Sequence, residues 1–249
     1  MVQRVETGQL WYYPETTVEI LDGSVQMKCL IRFVETGEVK VVRAECIRRR
    51  RVRSNLTPRV KGVGFIGVGD YSYKYDKVCY QHWSDMFKRC YSKDNTHKAY
   101  FGVSVCSHWH NFQNFATWYY SQSIISVNVS GRLHLDKDLT RSKIYSPTTV
   151  HLIPESINGL LTAEGQHRRG YVGVSWHKST GKWCATCRGV WLGVFDDELS
   201  AHLVYREYLG GQHRQLAEDY KGVISNEAYE LLKNRKLYEG ELKYIKEKL

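Results

Sequence analysis

"LHLDKDLTRSKIYSPTTVHLIPESIN", residues 133–158, alternates apolar and polar side chains, breaks at Ser146-Pro147, returns through a second apolar run and passes Pro154 into helix formers. Period-two alternation around a proline turn predicts a strand over 133–139, a turn over 143–147, a return strand over 148–154 and a helix from Glu155. Two carboxylates, Asp136 and Asp138, precede the turn, and the carboxamide of Asn158 follows the helix start. A hairpin packed on a helix can hold one divalent cation between the end of its first strand and the helix.

The rest of the chain is basic. Thirty-six Lys and Arg stand against 26 Asp and Glu, a formal charge of +10 over 249 residues. Such an excess attracts polyanions, double-stranded DNA foremost. With 42% hydrophobic residues the chain can bury two or three small cores. No run reaches the length of a membrane span, the start lacks the apolar core of a signal peptide, and seven cysteines in irregular spacing fit reduced thiols, so a cytoplasmic protein without membrane contact is expected.

Upstream, alternation around Asp22-Gly23 and Thr36-Gly37 predicts hairpins of a small β module. It runs into Arg48, Arg49, Arg50, Arg51 and Arg53, which as an extended arm would lie along successive phosphates or a minor groove. The glycine-rich 60–71 lacks the lysine and hydroxyl of a phosphate loop and reads as linker and turn. Trp83, Met86, Phe87 and Cys90, then Trp109, Phe112, Phe115, Ala116 and Tyr119, recur at helical spacing and predict two helices packed by aromatic faces. Cys79, Cys90 and Cys106 with His82, His108 and His110 lack the short paired spacing of a structural zinc site and read as buried thiols; Cys184 and Cys187 sit three apart in a strand and would face opposite ways.

Residues 171–209 predict three short strands, "GVSW", "GKWCATCR" and "VWLGVF", turning at Ser179-Thr180-Gly181 and Arg188-Gly189, then a helix capped by Asp196. Alternation turns Trp183, Ala185 and Cys187 toward the helix and Lys182, Cys184, Thr186 and Arg188 outward, and a sheet with a basic outer face can enter the major groove. The tail, 211–249, is rich in helix formers and would pack on this module or form a homodimer contact.

Several pieces resemble phage-encoded HNH-type (ββα-metal) endonucleases, homing enzymes among them: Trp83 to Tyr91, Val105 to Trp118, "LDKDL" from Leu135, "YSP" from Tyr145 and "IPESIN" from Ile153. The resemblance implies hydrolysis of phosphodiester bonds with one Mg2+ or Mn2+ held by Asp136 and Asn158. Lys137 stands where that family carries its histidine base, Thr148 and Thr149 stand where it carries a bracing asparagine, and His134 or His151 would have to serve as base. The stretch 171–209 resembles the DNA-binding domain of plant ethylene-response factors (the Apetala type), which implies DNA contacts at Gly173, Ser175, His177, Thr186, Arg188 and Trp191. Val172, Ser175 and Gly189 replace arginines of that family. The expected fold is α+β: a β module with the arginine arm (1–62), an HNH-like domain with aromatic helices (63–168), a three-stranded-sheet domain (169–210) and a helical tail (211–249). The expected activity is a DNA endonuclease targeted by the sheet; the alternative is a non-catalytic DNA-binding protein or regulator on a degenerate HNH scaffold.

Overall fold

The computed structural model describes residues 3–92, 100–164 and 171–235; the part of the helical tail expected over 236–249 lies outside them. The protein is α+β, and its chain divides into two compact units, Met1–Thr117 and Trp118–Leu249.

In the first unit, β1 (Leu10–Tyr12), β2 (Thr17–Asp22), β3 (Cys29–Phe33) and β4 (Val39–Val42) form an antiparallel sheet in sequential order. Alternation buries Val18 and Ile20 from β2 and Cys29, Ile31 and Phe33 from β3 against Ala44 and Ile47 of the short α1 (Ala44–Arg48). The connection after Asp22 takes the six residues 23–28 rather than a tight Asp-Gly turn, because Gln26 is used as a strut: its amide donates to the carbonyls of Val5 and Gly23, both at 2.8 Å.

Downstream, α2 (Lys77–Tyr91) buries Cys79, Trp83, Met86 and Phe87. Trp83 meets Phe112, the first residue of α3 (Phe112–Ser121), with ring centroids 5.3 Å apart, as the aromatic spacing predicts. The glycine-rich stretch packs tightly here: a Cβ on Gly64 would lie 2.9 Å from the Trp83 ring, so glycine permits this close approach. Cys90, in the last turn of α2, and Cys106 are only half-buried, unlike Cys79, although buried thiols are expected at both. The two-residue β5 (Ser104–Val105) and a 3-10 turn over Ser107–His110 lead into α3.

The second unit holds the opening stretch. Strand β6 (Leu133–Asp136) pairs antiparallel with β8 (His151–Pro154), and α4 (Glu155–Ala163) follows directly. The first strand stops at Asp136 rather than Leu139, and its partner begins at His151 rather than Thr148. Between them lies a long loop carrying the two-residue β7 (Ile144–Tyr145). Side chains cause the early stop: Asp136 folds back to accept the Leu139 N–H, and Arg141 takes a left-handed φ of 57°. The Thr140 hydroxyl lies 2.8 Å from both the Lys137 and the Thr149 carbonyls, with one proton to share between them.

Beyond it, β9 (Val174–His177), β10 (Lys182–Cys187) and β11 (Val190–Phe195) form a three-stranded antiparallel sheet with β10 central, backed by α5 (Glu198–Asp219). Arg188 and Gly189, with φ of 49° and 84°, make the two-residue turn their positions predict. The helix cap is Asp197, not Asp196; its carboxylate accepts the Ser200 N–H at 2.8 Å. Helix α5 runs unbroken through Gly210 and Gly211, where composition suggests a boundary, because Leu209, His213 and Ala217 keep burying one face. Leu160 of α4 joins Ala185, Cys187, Ala201, Tyr205 and Leu209 in one core, and α6 (Asn226–Lys233), capped by Ser225, closes the described chain.

Candidate functional site

Two faces of the second unit gather the residues that sequence singles out. The first is the inner side of the β6–β8 pair. Asp136 stands directly opposite His151 in the register, and residues so paired project to the same face with Cβ atoms about 5 Å apart. His134, two positions before Asp136 and opposite Ile153, shares that face. Asp136 is 6% exposed and His151 5%.

Burial dominates the chemistry of this pair. It pushes the Asp136 carboxyl up to about 6, with the charge of Asp138 adding to the rise and the Leu139 N–H, Lys137 and Arg235 opposing it. Burial likewise lowers the basicity of His151, against the pull of Glu227, so its imidazole is neutral at pH 7. His151 Nδ1 lies 3.0 Å from Ser225 Oγ at the α6 cap, while Nε2 is buried without a hydrogen-bond partner among the described residues.

Lys137, at the expected base position, is 7% exposed, and its ammonium lies 2.5 Å from Asp138 Oδ1 and over the Tyr145 ring at 5.9 Å. Its geometry is that of an ion-paired strut. Asn158 is half-buried on α4, where its carbonyl accepts the Thr162 hydroxyl at 2.9 Å. Thr149, in the bracing position, bonds within the loop to the Ser146 N–H and the Ile144 carbonyl.

A third party, invisible in the local sequence, holds the turn. The Arg235 guanidinium spans Glu164 through Nε at 2.7 Å and Nη2 at 3.0 Å, and also donates to the carbonyls of Asp138 and Leu139. Glu164 is fully buried and lies 3.3 Å from His213, whose basicity burial drives down to about 4 against the charge of Glu164. A cleft of about 440 Å³ opens beside this latch, between Leu139, Thr140 and Arg141 on the loop and Glu227, Glu230 and Asn234 on the other side. These contacts join residues some 70 to 100 positions apart, too far for any spacing rule to pair them.

The second face is the outer side of the three-stranded sheet. Lys182 pairs with His177, Cys184 with Ser175 and Val194, and Thr186 with Trp191, so these side chains share one face, opposite the helix-side core of Trp183, Ala185 and Cys187. A register shift at Ala185/Thr186 admits one extra residue in β11 and keeps Trp191 outward. The His177 and Trp191 rings meet edge to face with centroids 5.5 Å apart although they hang from the two outer strands. They must bridge the middle strand, which explains why Cys184, expected to point out, is nonetheless buried, with its sulfur 3.1 Å from Ser175 Oγ.

Two expected DNA contacts stand elsewhere. Gly173, with φ of 76°, presses on the helix: a Cβ there would fall 2.0 Å from the Tyr205 ring, so its place is a packing requirement. Arg188 leans away from the outer face, since its Nη2 lies 3.5 Å from where a Cβ on Gly159 of α4 would be. The arginine stretch is not a free arm either. Arg48 ends α1 and donates to the Gln3 carbonyl and to Gln26, Arg49 pairs with Glu45 at 2.9 Å, and Val52 is buried in the β-module core. Arg49, Arg50, Arg51 and Arg53 remain exposed along the anchored segment.

Among the described residues no three His, Cys, Asp or Glu side chains assemble as a metal group. Asp136 offers a carboxylate and His151 an unpartnered Nε2 on one face, a mixed oxygen and nitrogen pair that suits manganese better than magnesium. Ser225 Oγ already accepts the Ala228 N–H and has a second lone pair for His151 Nδ1–H, which would leave Nε2 free to bind. All seven cysteines are free thiols, and no described helix is long and apolar enough to cross a membrane.

No family model, curated protein or solved structure matches this chain.

Proposed function

We propose that this protein binds double-stranded DNA, with the outer face of β9–β11 in the major groove and the exposed arginines along the backbone. The observation that carries the reading is the alignment of Ser175, His177, Lys182, Thr186 and Trp191 on one side of a sheet otherwise occupied with its own helix. A β-ribbon fits the major groove, and a formal charge of +10 supplies the attraction to phosphate. The resemblance of 171–209 to the Apetala-type domain and of 83–158 to phage HNH proteins points the same way. On this reading the strand-strand-helix unit is a scaffold, in which Asp136 shapes a turn and Lys137 is taken up by Asp138.

Fluorescence anisotropy of the full chain with a labelled duplex tests the proposal. Binding that weakens steeply with salt and is impaired in Thr186→Ala/Trp191→Ala is expected; no binding at low salt would refute it.

A second reading, metal-dependent cleavage of phosphodiester bonds, is favoured by one observation: Asp136 faces His151 across the strand pair. There Asp136, with Asn158 from α4, would hold a divalent cation that stabilises charge on the phosphate, and His134 or His151 would take the proton from water. Supercoiled DNA incubated with Mg2+, Mn2+ or EDTA separates the two. Cutting by the wild type that Asp136→Ala and Asn158→Ala abolish establishes the enzyme, and intact DNA under every metal leaves the binding protein.

A further inference from the structure

We infer that the outer face of β9–β11 reads thymine methyl groups, so that this protein selects A·T-containing sites rather than guanine runs; the inference rests on the DNA-binding reading proposed above. Guanine is read in the major groove chiefly by a guanidinium or ammonium reaching its O6 and N7, whereas thymine offers a C5-methyl that takes apolar side chains and the methyl of threonine. The chemistry of this face is of the second kind.

Its cations are turned aside or engaged. Arg188, the arginine nearest the face in sequence, leans toward Gly159 on α4. Lys182 lies on the face but is 2.8 Å from Asp196, a highly exposed carboxylate that would repel phosphate if Lys182 left it. Of the remaining positions, Ser175 adds a hydroxyl and His177 an imidazole, while Trp191 and Val194 present carbon. Trp191 is 55% exposed and Val194 38%. Thr186, exposed opposite Trp191, adds a methyl and a hydroxyl that can meet either base of a pair. The edge-to-face contact of His177 with Trp191 fixes the platform across the middle strand, and the 2.8 Å contact of His177 Nδ1 with Thr180 Oγ1 steadies the imidazole.

The DNA occupant follows from the reading above: residues 171–209 balance four Lys and Arg against four Asp and Glu, so the chain's charge of +10 comes from outside this module, and exposed Lys178 beside the patch is the cation placed to meet phosphate at a groove wall. Leaving one such methyl group in water instead of burying it corresponds to about a fourfold change in affinity.

The test uses the full chain. Duplexes are selected from a random pool, and the best binder is compared with the same duplex carrying deoxyuridine at every thymidine, which removes only the C5-methyls. Thymine-bearing sites should dominate the selection, and uracil substitution should weaken binding about fourfold for each methyl that the sheet covers. The variants Trp191→Ala and Val194→Ser should lose the preference for thymine over uracil while retaining the salt dependence. Equal affinity for both duplexes, guanine-rich selected sites, or tighter binding to the single strand would each overturn the inference while leaving DNA binding in place. Binding to no nucleic acid would refute the DNA reading itself.

Discussion

Replacing Asp136 by asparagine should stabilise the metal-free protein at neutral pH. The carboxyl is 6% exposed and is pushed up from 3.8 to about 6, chiefly by burial and then by Asp138. A carboxyl raised in the folded state holds a proton that the unfolded chain has lost, so stability is highest below the unfolded value and falls as pH rises through about 4 to 6. Above that window the buried charge costs on the order of 3 kcal/mol. Asp136→Asn removes the charge and keeps the Oδ1 acceptor that the Leu139 N–H uses at 2.7 Å. Urea unfolding followed by circular dichroism should therefore show the variant more stable by about 1–3 kcal/mol at pH 7.5, with the gain vanishing near pH 4. On the metal-dependent reading the two proteins should also differ with manganese, the ion raising the unfolding midpoint of the wild type and not that of the variant, whereas the scaffold reading expects no effect on either. A variant less stable than the wild type at pH 7.5, or a difference that ignores pH, would show that Asp136 is held charged and satisfied, and would refute the reasoning from burial.

Further outcomes follow from the neighbouring geometry. Arg235→Met strands the buried Glu164 carboxylate and should cost about 3–5 kcal/mol at pH 8. The loss should shrink as pH falls, since a stranded buried carboxylate takes up a proton, and Glu164→Gln added to Arg235→Met should recover much of it in the same urea assay. Gly173→Ala should lower the thermal midpoint, because its methyl would meet the Tyr205 ring at 2.0 Å and its φ of 76° disfavours a side chain. Replacing Arg49, Arg50, Arg51 and Arg53 by glutamine should reduce the slope of log affinity against log salt by about 0.9 for each phosphate no longer neutralised, without changing any preference among duplexes. On the metal-dependent reading His151→Gln should abolish stabilisation by manganese, read by thermal unfolding, and stabilisation that survives would exclude Nε2 as a donor and leave it the base role.

Local rules carried the architecture far. The α+β class, the antiparallel modules, both aromatic helices, and the strand-strand-helix order of 133–158 follow from period-two and period-3.6 patterns around glycine and proline turns, which report which face of an element is apolar. Alternation also sorts the outer face of the sheet correctly at Lys182 and Thr186, because strand geometry alone decides the side. Element ends were less legible. β6 stops at Asp136 because a side chain competes for backbone hydrogen bonds, and the Asp22-Gly23 turn lengthens because Gln26 braces it from Val5.

Side-chain partners were far less legible than faces, since they depend on what a distant segment brings. Nothing near Lys137 says that it is buried against Asp138 and Tyr145, and nothing near Arg188 says that it leans over Gly159. The pairing of Asp136 with His151 required the strand register, which the true loop length sets. By itself the sequence determined the kind and order of the secondary elements, their amphipathic faces and a formal charge of +10, all properties of neighbours along the chain and of composition. Only the tertiary structure decided which charged groups are desolvated, which are paired and which remain free to meet a ligand, because burial and Coulomb interaction depend on distance in space.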